Sequence, residues 1–150
     1  MSGRFGPNFY DEKEIMTPTN FENLRIYNLS EKLADGIWDI VNAWNEFARD
    51  TVGKQMVRSA DSVGANIAEG VGRWGIQDQK RFIYIARGSV NETKHWLRRA
   101  YKRHLLSPDQ IASIKPVLDE LAPKLNAYAR SLTRMKNGKQ RSTINDQRTD

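Results

Sequence analysis

Residues 55–75 read QMVRSADSVGANIAEGVGRWG, and the spacing inside this segment indicates which class of fold the chain adopts. Its apolar residues recur at steps of three or four, as they do on one face of a helix. They are Met56, Ala60, Val63, Ile67 and Val71. A second set is small, and small side chains let neighbouring helices approach closely. These residues are Ser59, Ala60, Ser62, Gly64, Ala65 and Ala68. The segment is therefore predicted to form a helix with neighbours on more than one side.

The residues before this segment predict another long helix, from Phe21 to Arg49. Thr19 and Glu22 have the spacing of a capping box at its start. Its apolar residues again step by three or four positions. They are Ile26, Leu29, Leu33, Ile37, Ile40, Trp44 and Phe47. We expect Asp50 or Thr51 to cap the second helix, because both residue types favour that position.

Two more helices are predicted further along the chain. The third runs from Asp78 to Leu105 and has a narrow inner face. That face comprises Phe82, Ala86, Ser89, Thr93, Trp96, Ala100 and His104. The fourth helix begins with three signals, because Ser107 is a capping residue, Pro108 suits the first helical position and Gln110 completes a capping box. It is expected to end near Asn137-Gly138.

Four long helices with short connections predict an all-α protein with the fold of an up-down-up-down four-helix bundle. The bundle is assigned to residues 19–137. Residues 1–18 show no sustained apolar periodicity and are interpreted as a flexible N-terminal extension. Residues 138–150 have no apolar face and are predicted to form a disordered basic C-terminal tail. The sequence shows no strand pattern and no internal repeat.

The composition excludes several classes of protein. The 150 residues contain no cysteine, which removes disulfides, thiolate zinc sites and cysteine nucleophiles. No apolar run approaches the roughly 20 residues that are needed to cross a bilayer. The first residues, MSGRFGPNFYDEKE, lack the apolar core of a secretory signal. The sequence thus predicts a cytoplasmic protein that has no membrane segment.

The net charge of +6 is distributed unevenly. Residues 78–104 contain eight Lys or Arg against two acidic residues, and residues 130–150 contain six against two. Residues 22–49 are mildly acidic, with three basic and five acidic residues. Such asymmetry favours an anionic partner.

Five polar residues inside the second and third helices have two interpretations. They are Arg58, Asn66, Glu69, Arg87 and Glu92. They could form a catalytic or ligand-binding cluster, or a network between helices or subunits that gives partly buried charges their partners. The network is favoured, because no nucleophile, metal-ligand set or phosphate-binding loop accompanies the two glutamates.

The sequence predicts no catalytic residue, no metal site and no cofactor. His95 and His104 are nine residues apart and do not share one helix face. No carboxylate cluster completes a metal site around them. Ser59 and Ser62 lack the His or Lys partner of a catalytic triad and are interpreted as packing residues. The chain is therefore predicted not to be an enzyme.

A stripe of basic residues lies on the third predicted helix. Its members are Arg87, Lys94, Arg98 and Lys102, with Arg99 and Arg103 alongside. Such a face can neutralise phosphates with release of counterions, and Tyr101 can stack on a base. The alternative is a solvated helix face. Repetition of the stripe in an oligomer would strengthen binding by avidity, so RNA or DNA binding is favoured.

Three segments resemble motifs of a known family. They are FENLRIY (residues 21–27), SVGANIAEGVGR (62–73) and IARGSVNETKHWLRRA (85–100). The family consists of four-helix-bundle proteins encoded by intervening sequences in large-subunit ribosomal RNA genes, and the resemblance spans residues 21–135. More distantly, the chain is similar to the accessory variability determinant proteins of diversity-generating retroelements. The resemblance implies a homopentamer, and the distant relatives imply a reverse transcriptase and nucleic acid as candidate partners.

Our hypothesis from the sequence is a non-enzymatic, oligomeric RNA- or DNA-binding scaffold. The alternative is a protein–protein adaptor with no nucleic-acid role. Trp38 and Val41 lie beside the main apolar stripe of the first helix, which is more apolar surface than a monomeric bundle needs. This surplus indicates burial between subunits, and the resemblance implies that five copies close into a ring.

Overall fold

The computed structural model describes residues 24–146, with the side chains of residues 24–135 and 137. The elements are α1 (Arg25–Asn42), α2 (Glu46–Ala48), a π-helical segment (Arg49–Gly53), α3 (Lys54–Val71), α4 (Ile76–Lys102) and α5 (Pro108–Asp146). Because α2, the π-helical segment and α3 follow one another directly, residues 24–146 form four long helices and contain no strand. The predicted all-α class is confirmed.

The helices pack in the order expected of a four-helix bundle. α3 packs against α1 and, most extensively, against α4, while α5 packs against α4 and returns to α1. Consecutive long helices are joined by connections of three to five residues, which is typical of bundles with antiparallel neighbours. These contacts belong to one copy of the chain, so the homopentameric ring stays a prediction.

The centre of the core lies on α3, within the segment 55–75. Met56, Ala60, Val63 and Ile67 on α3 have no exposed surface, as their spacing predicts. The other helices surround them with fully buried branched side chains. These include Leu29, Leu33, Ile37, Ile83, Val90, Leu121 and Leu125. Each such side chain contributes about 1.5–3 kcal/mol on burial, so this cluster is the main source of the stability of the bundle.

The first helix is shorter than predicted. α1 ends at Asn42, and the chain turns there instead of continuing to Arg49. Trp44 lies in the turn, and its indole N–H donates to the carbonyl oxygen of Leu105 at 2.9 Å. Phe47, the last residue of the predicted stripe, is 79% exposed. The predicted boundary is wrong because the apolar spacing continues across a break in the backbone.

The second helix begins earlier than predicted. Its cap is Asn45, whose Oδ1 accepts a hydrogen bond from the Ala48 N–H at 3.0 Å. Asp50 and Thr51, the predicted caps, lie inside the π-helical segment. The Thr51 hydroxyl donates to the carbonyl oxygen of Phe47 at 2.6 Å. A π-helical turn holds more residues than an α-helical turn, so this segment shifts the register between α2 and α3.

α4 ends at Lys102, before the predicted end at Leu105. His104 has a φ of 60°, in the left-handed region. Its N–H donates to the carbonyl oxygen of Tyr101 at 3.1 Å, and the Leu105 N–H donates to that of Ala100 at 2.9 Å. These two bonds form a Schellman motif. His104 is exposed, so its predicted place on the inner face is wrong.

α5 begins as predicted and ends later. The Ser107 N–H donates to Gln110 Oε1 at 2.9 Å, and the Gln110 N–H donates to Ser107 Oγ at 3.2 Å. This confirms the capping box. The helix continues past Asn137-Gly138 to Asp146, so residues 138–146, assigned to the tail from the sequence, belong to α5.

Part of the predicted domain organisation lies outside the described residues. This applies to the extension at residues 1–18, the capping box of Thr19 and Glu22, and the last four residues of the tail. Within residues 24–146, no helix is long and apolar enough to cross a membrane.

Candidate nucleic-acid interface

The flank of α4 that faces α3 is closed by short hydroxyl side chains. The Thr93 hydroxyl lies 3.0 Å from Ser59 Oγ and 2.8 Å from the carbonyl oxygen of Ser89. The Ser62 and Ser89 hydroxyls are 3.0 Å apart, and Asn66 Nδ2 donates to Ser62 Oγ at 3.0 Å. We call Ser59, Ser62, Asn66, Ser89 and Thr93 the hydroxyl seam. Their bonds run to each other and to the backbone, so the seam joins α3 to α4 and its polar groups are satisfied within the chain.

Within one chain, the five residues predicted to form a polar network do not meet. They are Arg58, Asn66, Glu69, Arg87 and Glu92. Asn66 belongs to the hydroxyl seam, whereas Arg58 is exposed and has no hydrogen bond or ion pair with the described residues. The carboxylate of Glu69 pairs with Arg73 at 2.7 Å. Glu92 Oε1 accepts a hydrogen bond from the indole N–H of Trp96 at 3.3 Å. A role of the exposed members between subunits stays a prediction.

The six residues predicted to bind nucleic acid are divided between two sides of α4. They are Arg87, Lys94, Arg98, Arg99, Lys102 and Arg103. Arg87, Lys94 and Arg98 lie on the flank that faces α5. Successive residues of a helix are about 100° apart, so Arg99 is turned away from Arg98, and Arg103 follows the end of α4; neither lines the pocket on that flank. Lys102 is the last residue of α4, one turn beyond Arg98.

The first half of the flank facing α5 is closed by hydrogen bonds between the two helices. Lys80 Nζ donates to Thr133 Oγ1 at 2.8 Å, and Arg87 Nη1 donates to Asn126 Oδ1 at 2.9 Å. Both cations also lie over the ring of Tyr84, at 6.0 and 5.0 Å from its centroid. The predicted ligand residue Arg87 is therefore engaged within the chain.

The second half of this flank is an open groove of about 700 Å³, which we call the α4/α5 groove. Most of its lining surface is apolar. Its floor includes Leu97, Leu106, Ile111, Ile114 and Leu118, and its edges carry Lys94, Arg98, Tyr101, Lys115 and Asp119. Tyr101 is 53% exposed. The groove therefore combines an apolar floor, an accessible aromatic ring and cations from two helices.

The charge of the α4/α5 groove is positive. Lys94 and Arg98 on α4 form no ion pair with the described residues. On α5, the Lys115 ammonium pairs with the Asp119 carboxylate at 2.5 Å. Because the Lys94 ammonium and the Arg98 guanidinium have no carboxylate partner among the described residues, the groove favours an anionic ligand.

A cleft of opposite charge lies between α1 and α3. Its acidic residues are Glu31, Asp35 and Asp61, and small residues line the space between them. Burial raises the pKa of Asp61 above its ordinary value, and the neighbouring Asp35 carboxylate raises it further. This cleft disfavours phosphate and differs in that respect from the α4/α5 groove.

The described residues contain no group of three or more His, Cys, Asp or Glu side chains that could hold a metal ion. His95 instead packs edge-on against Trp96, with ring centroids 4.8 Å apart. Ser59 and Ser62, interpreted from the sequence as packing residues, also carry hydrogen bonds of the hydroxyl seam.

Sequence reasoning missed the groove, although it identified Lys94, Arg98 and Tyr101. Ile114 and Leu118 belong to the apolar repeat of α5, which by itself predicts only burial in the core, and Lys115 was not singled out. A groove requires a gap between two helices, and no spacing within one helix reveals it. The available signal was that Lys115 lies between Ile114 and Leu118 on α5, which places a cation beside the apolar face of that helix.

Three comparisons place these observations among known proteins. Residues 22–127 match the family described as 23S rRNA-intervening sequence protein. A crystal structure from Bacteroides thetaiotaomicron, described as a protein of unknown function from the S23 ribosomal protein family, is similar in fold and 25% identical in sequence. Its alignment covers 69% of this chain and 97% of that chain, with a TM-score of 0.62. A search of curated proteins found no match.

Proposed function

This chain belongs to the 23S rRNA-intervening sequence protein family, and we propose that it is a non-enzymatic, oligomeric scaffold that binds RNA or DNA through α4. One observation carries the proposal. Lys94 and Arg98 stand unpaired on the edge of an open groove, and Lys115 joins them from the facing helix. Lys94 and Arg98 contact phosphates without first breaking an ion pair within the chain, whereas Lys115 is paired with Asp119.

Binding to labelled RNA and DNA in a salt series tests the proposal. Fluorescence anisotropy at low salt should show binding that weakens steeply as salt rises. The double substitution Lys94→Glu/Arg98→Glu should reduce the affinity at least tenfold and flatten the salt dependence. Arg99→Glu/Arg103→Glu is the control, because it makes the same charge change at two basic residues that do not line the groove and should cost less affinity. Equal losses would mean that only the net charge matters, and absence of binding to RNA and DNA at low salt would contradict the proposal.

The alternative function is a protein–protein adaptor. Its support is the exposure of large apolar side chains away from the groove: Trp38 is 59% exposed, Phe47 79% and Trp74 101%. Exposed aromatic residues are typical of protein contact surfaces. The distant similarity to accessory variability determinant proteins makes a reverse transcriptase one candidate partner. The anisotropy experiment separates the two functions, because an adaptor binds no nucleic acid at low salt.

The proposed scaffold is a homopentamer with head-to-tail contacts. Exposed Trp38 and Trp74 support an oligomer, and so does the open cleft between α1 and α3, whose small residues let another chain approach. Light scattering should give a mass near five times 17.3 kDa. Glu69→Lys should shift the mass downward. Glu69 is a better test than Asn66, because Asn66→Lys also breaks the hydroxyl seam. A stable monomer at micromolar concentration would contradict the pentamer.

A further inference from the structure

We infer that the α4/α5 groove receives an unpaired base, so that the chain selects single-stranded over double-stranded nucleic acid. This inference rests on the proposed function and specifies its ligand. The groove has about 700 Å³ of space, within the roughly 300–1,000 Å³ of ordinary ligand pockets. A flat base with its sugar fits this space, whereas a contact with phosphates alone needs no groove.

The lining of the groove matches the two chemical parts of a nucleotide. The floor offers aliphatic surface from α4 and α5, and Tyr101 presents an accessible ring face on which a base can stack. Lys94 and Arg98 lie one helical turn apart at the edge, and four residues of helix rise about 6 Å. That separation is similar to the spacing of neighbouring phosphates along an extended strand. One ligand therefore satisfies both the apolar floor and the cations.

The closed half of the same flank shows what the groove adds. Tyr84 lies under the side chains of Lys80 and Arg87, and both cations are bonded to α5. There both cations are hydrogen-bonded to α5 and cover part of the Tyr84 ring, which remains 44% exposed. No described cation lies over the ring of Tyr101, and Lys94 and Arg98 are unpaired. Of these two tyrosines of α4, Tyr101 is the one that lies beside cations without an ion pair in the described residues.

A duplex does not satisfy the groove. Its bases are paired and stacked, so only its phosphates reach the edge, and the aliphatic floor stays empty. Proteins that bind single strands combine cationic side chains that contact the phosphate backbone with aromatic side chains on which bases stack. Each stacked base increases the affinity about tenfold or more. The expected preference for a single strand is therefore about tenfold.

The test uses three labelled oligonucleotides of equal length: a single strand, its duplex, and a strand of abasic units that keeps the phosphates but has no bases. The full chain should bind the single strand about tenfold more tightly than the other two. Tyr101→Ala should remove this preference, and Tyr101→Phe should keep it, because the ring remains. Tyr84→Ala is the matched control, since it removes a partly exposed tyrosine of the same helix outside the groove. It should leave the preference unchanged.

The outcomes separate the inference from the proposed function. If the duplex or the abasic strand binds as tightly as the single strand, the inference is overturned and the proposed function stands. If none of the three binds at low salt, the proposed function fails. A changed mass of Tyr101→Ala in light scattering would overturn the inference too, because it would assign the groove to a contact between copies. Circular dichroism of each variant checks that the fold is retained.

Discussion

The two flanks of α4 differ in how they meet their neighbours. Towards α3, short side chains interlock, and the Thr93 and Ser59 hydroxyls are 3.0 Å apart in the buried interior. Towards α5, long side chains bridge the first half and leave a groove in the second. The distance between helices follows the size of the side chains at the contact. The difference teaches that small residues bring two helices into direct contact, and that long basic and aromatic residues leave open surface between them.

The largest expected effect on stability comes from a substitution that forces α3 and α4 apart. Ser59 is 3% exposed, so Ser59→Leu places a large side chain where no space exists and removes a hydrogen-bond partner of Thr93. We expect a loss of about 2–3 kcal/mol in the free energy of unfolding. Urea denaturation followed by circular dichroism at one protein concentration measures it.

Gln55→Leu provides the control for this substitution. Gln55 is exposed on the same helix, and a leucine there should change the free energy of unfolding by no more than about 0.5 kcal/mol. If the two leucine variants were equally stable, the α3–α4 contact would not be tightly packed, and the comparison would fail.

A smaller effect is expected when one hydroxyl is removed from each flank. Thr93→Val keeps the shape of the side chain but removes hydrogen bonds in the buried hydroxyl seam. It should cost about 1–1.5 kcal/mol. Thr133→Val removes the acceptor of the Lys80 ammonium, which can turn to water, and should cost less than about 0.5 kcal/mol. Equal costs in thermal or urea denaturation would remove the distinction between the flanks.

Periodicity predicted the core well, because burial of one helix face is a property of a single segment. Met56, Val63 and Ile67 are buried as their spacing predicts. Ser107 and Gln110 form the predicted cap, because the two partners are close in sequence. Local chemistry of this kind is accessible from the sequence, although the cap at Asn45, three residues from its partner Ala48, was assigned to Asp50 or Thr51.

Features that join distant segments escaped prediction. The break at Asn45 is hidden because Trp44 and Phe47 continue the apolar spacing, although Trp44 bonds to Leu105 and Phe47 faces solvent. The hydroxyl seam and the α4/α5 groove each need side chains from two helices in a fixed relative position. The basic stripe was predicted as one face, but bonding of Arg87 to Asn126 depends on the placement of α5.

The outer face of α4 offers a third, smaller test. Gly88 is exposed, and a Cβ there would meet no atom within 4 Å. Gly88→Ala should raise the free energy of unfolding by about 0.5–1 kcal/mol, because glycine is a poor helix former.

Gly70→Ala is the contrasting variant, because Gly70 lies on α3 where that helix packs against α4. Its Cβ would lie 3.1 Å from Phe82 Cβ and 3.2 Å from the carbonyl oxygen of Gln79, so the same substitution should destabilise the chain. Melting temperatures measured at one protein concentration compare the two. A lower oligomer mass of Gly88→Ala would show instead that another copy covers this face.

The smallest expected effect on stability concerns the acidic cleft between α1 and α3, whose charge is opposite to that of the α4/α5 groove. Burial and then Asp35 raise the pKa of Asp61 above its ordinary value near 3.8. The Asp61 carboxyl therefore binds its proton more tightly in the folded chain than in the unfolded chain. The free energy of unfolding falls as pH rises from the pKa of the unfolded state through that of the folded state. Asp61→Asn removes the charge, so it should raise the melting temperature slightly at pH 7, and the gain should vanish at pH 3, where the aspartate is already protonated. Asp39→Asn, which removes an exposed carboxylate of α1 outside the cleft, is the control for net charge. An equal gain in both variants, or a gain that persists at pH 3, would show that the buried charge of Asp61 does not destabilise the folded chain.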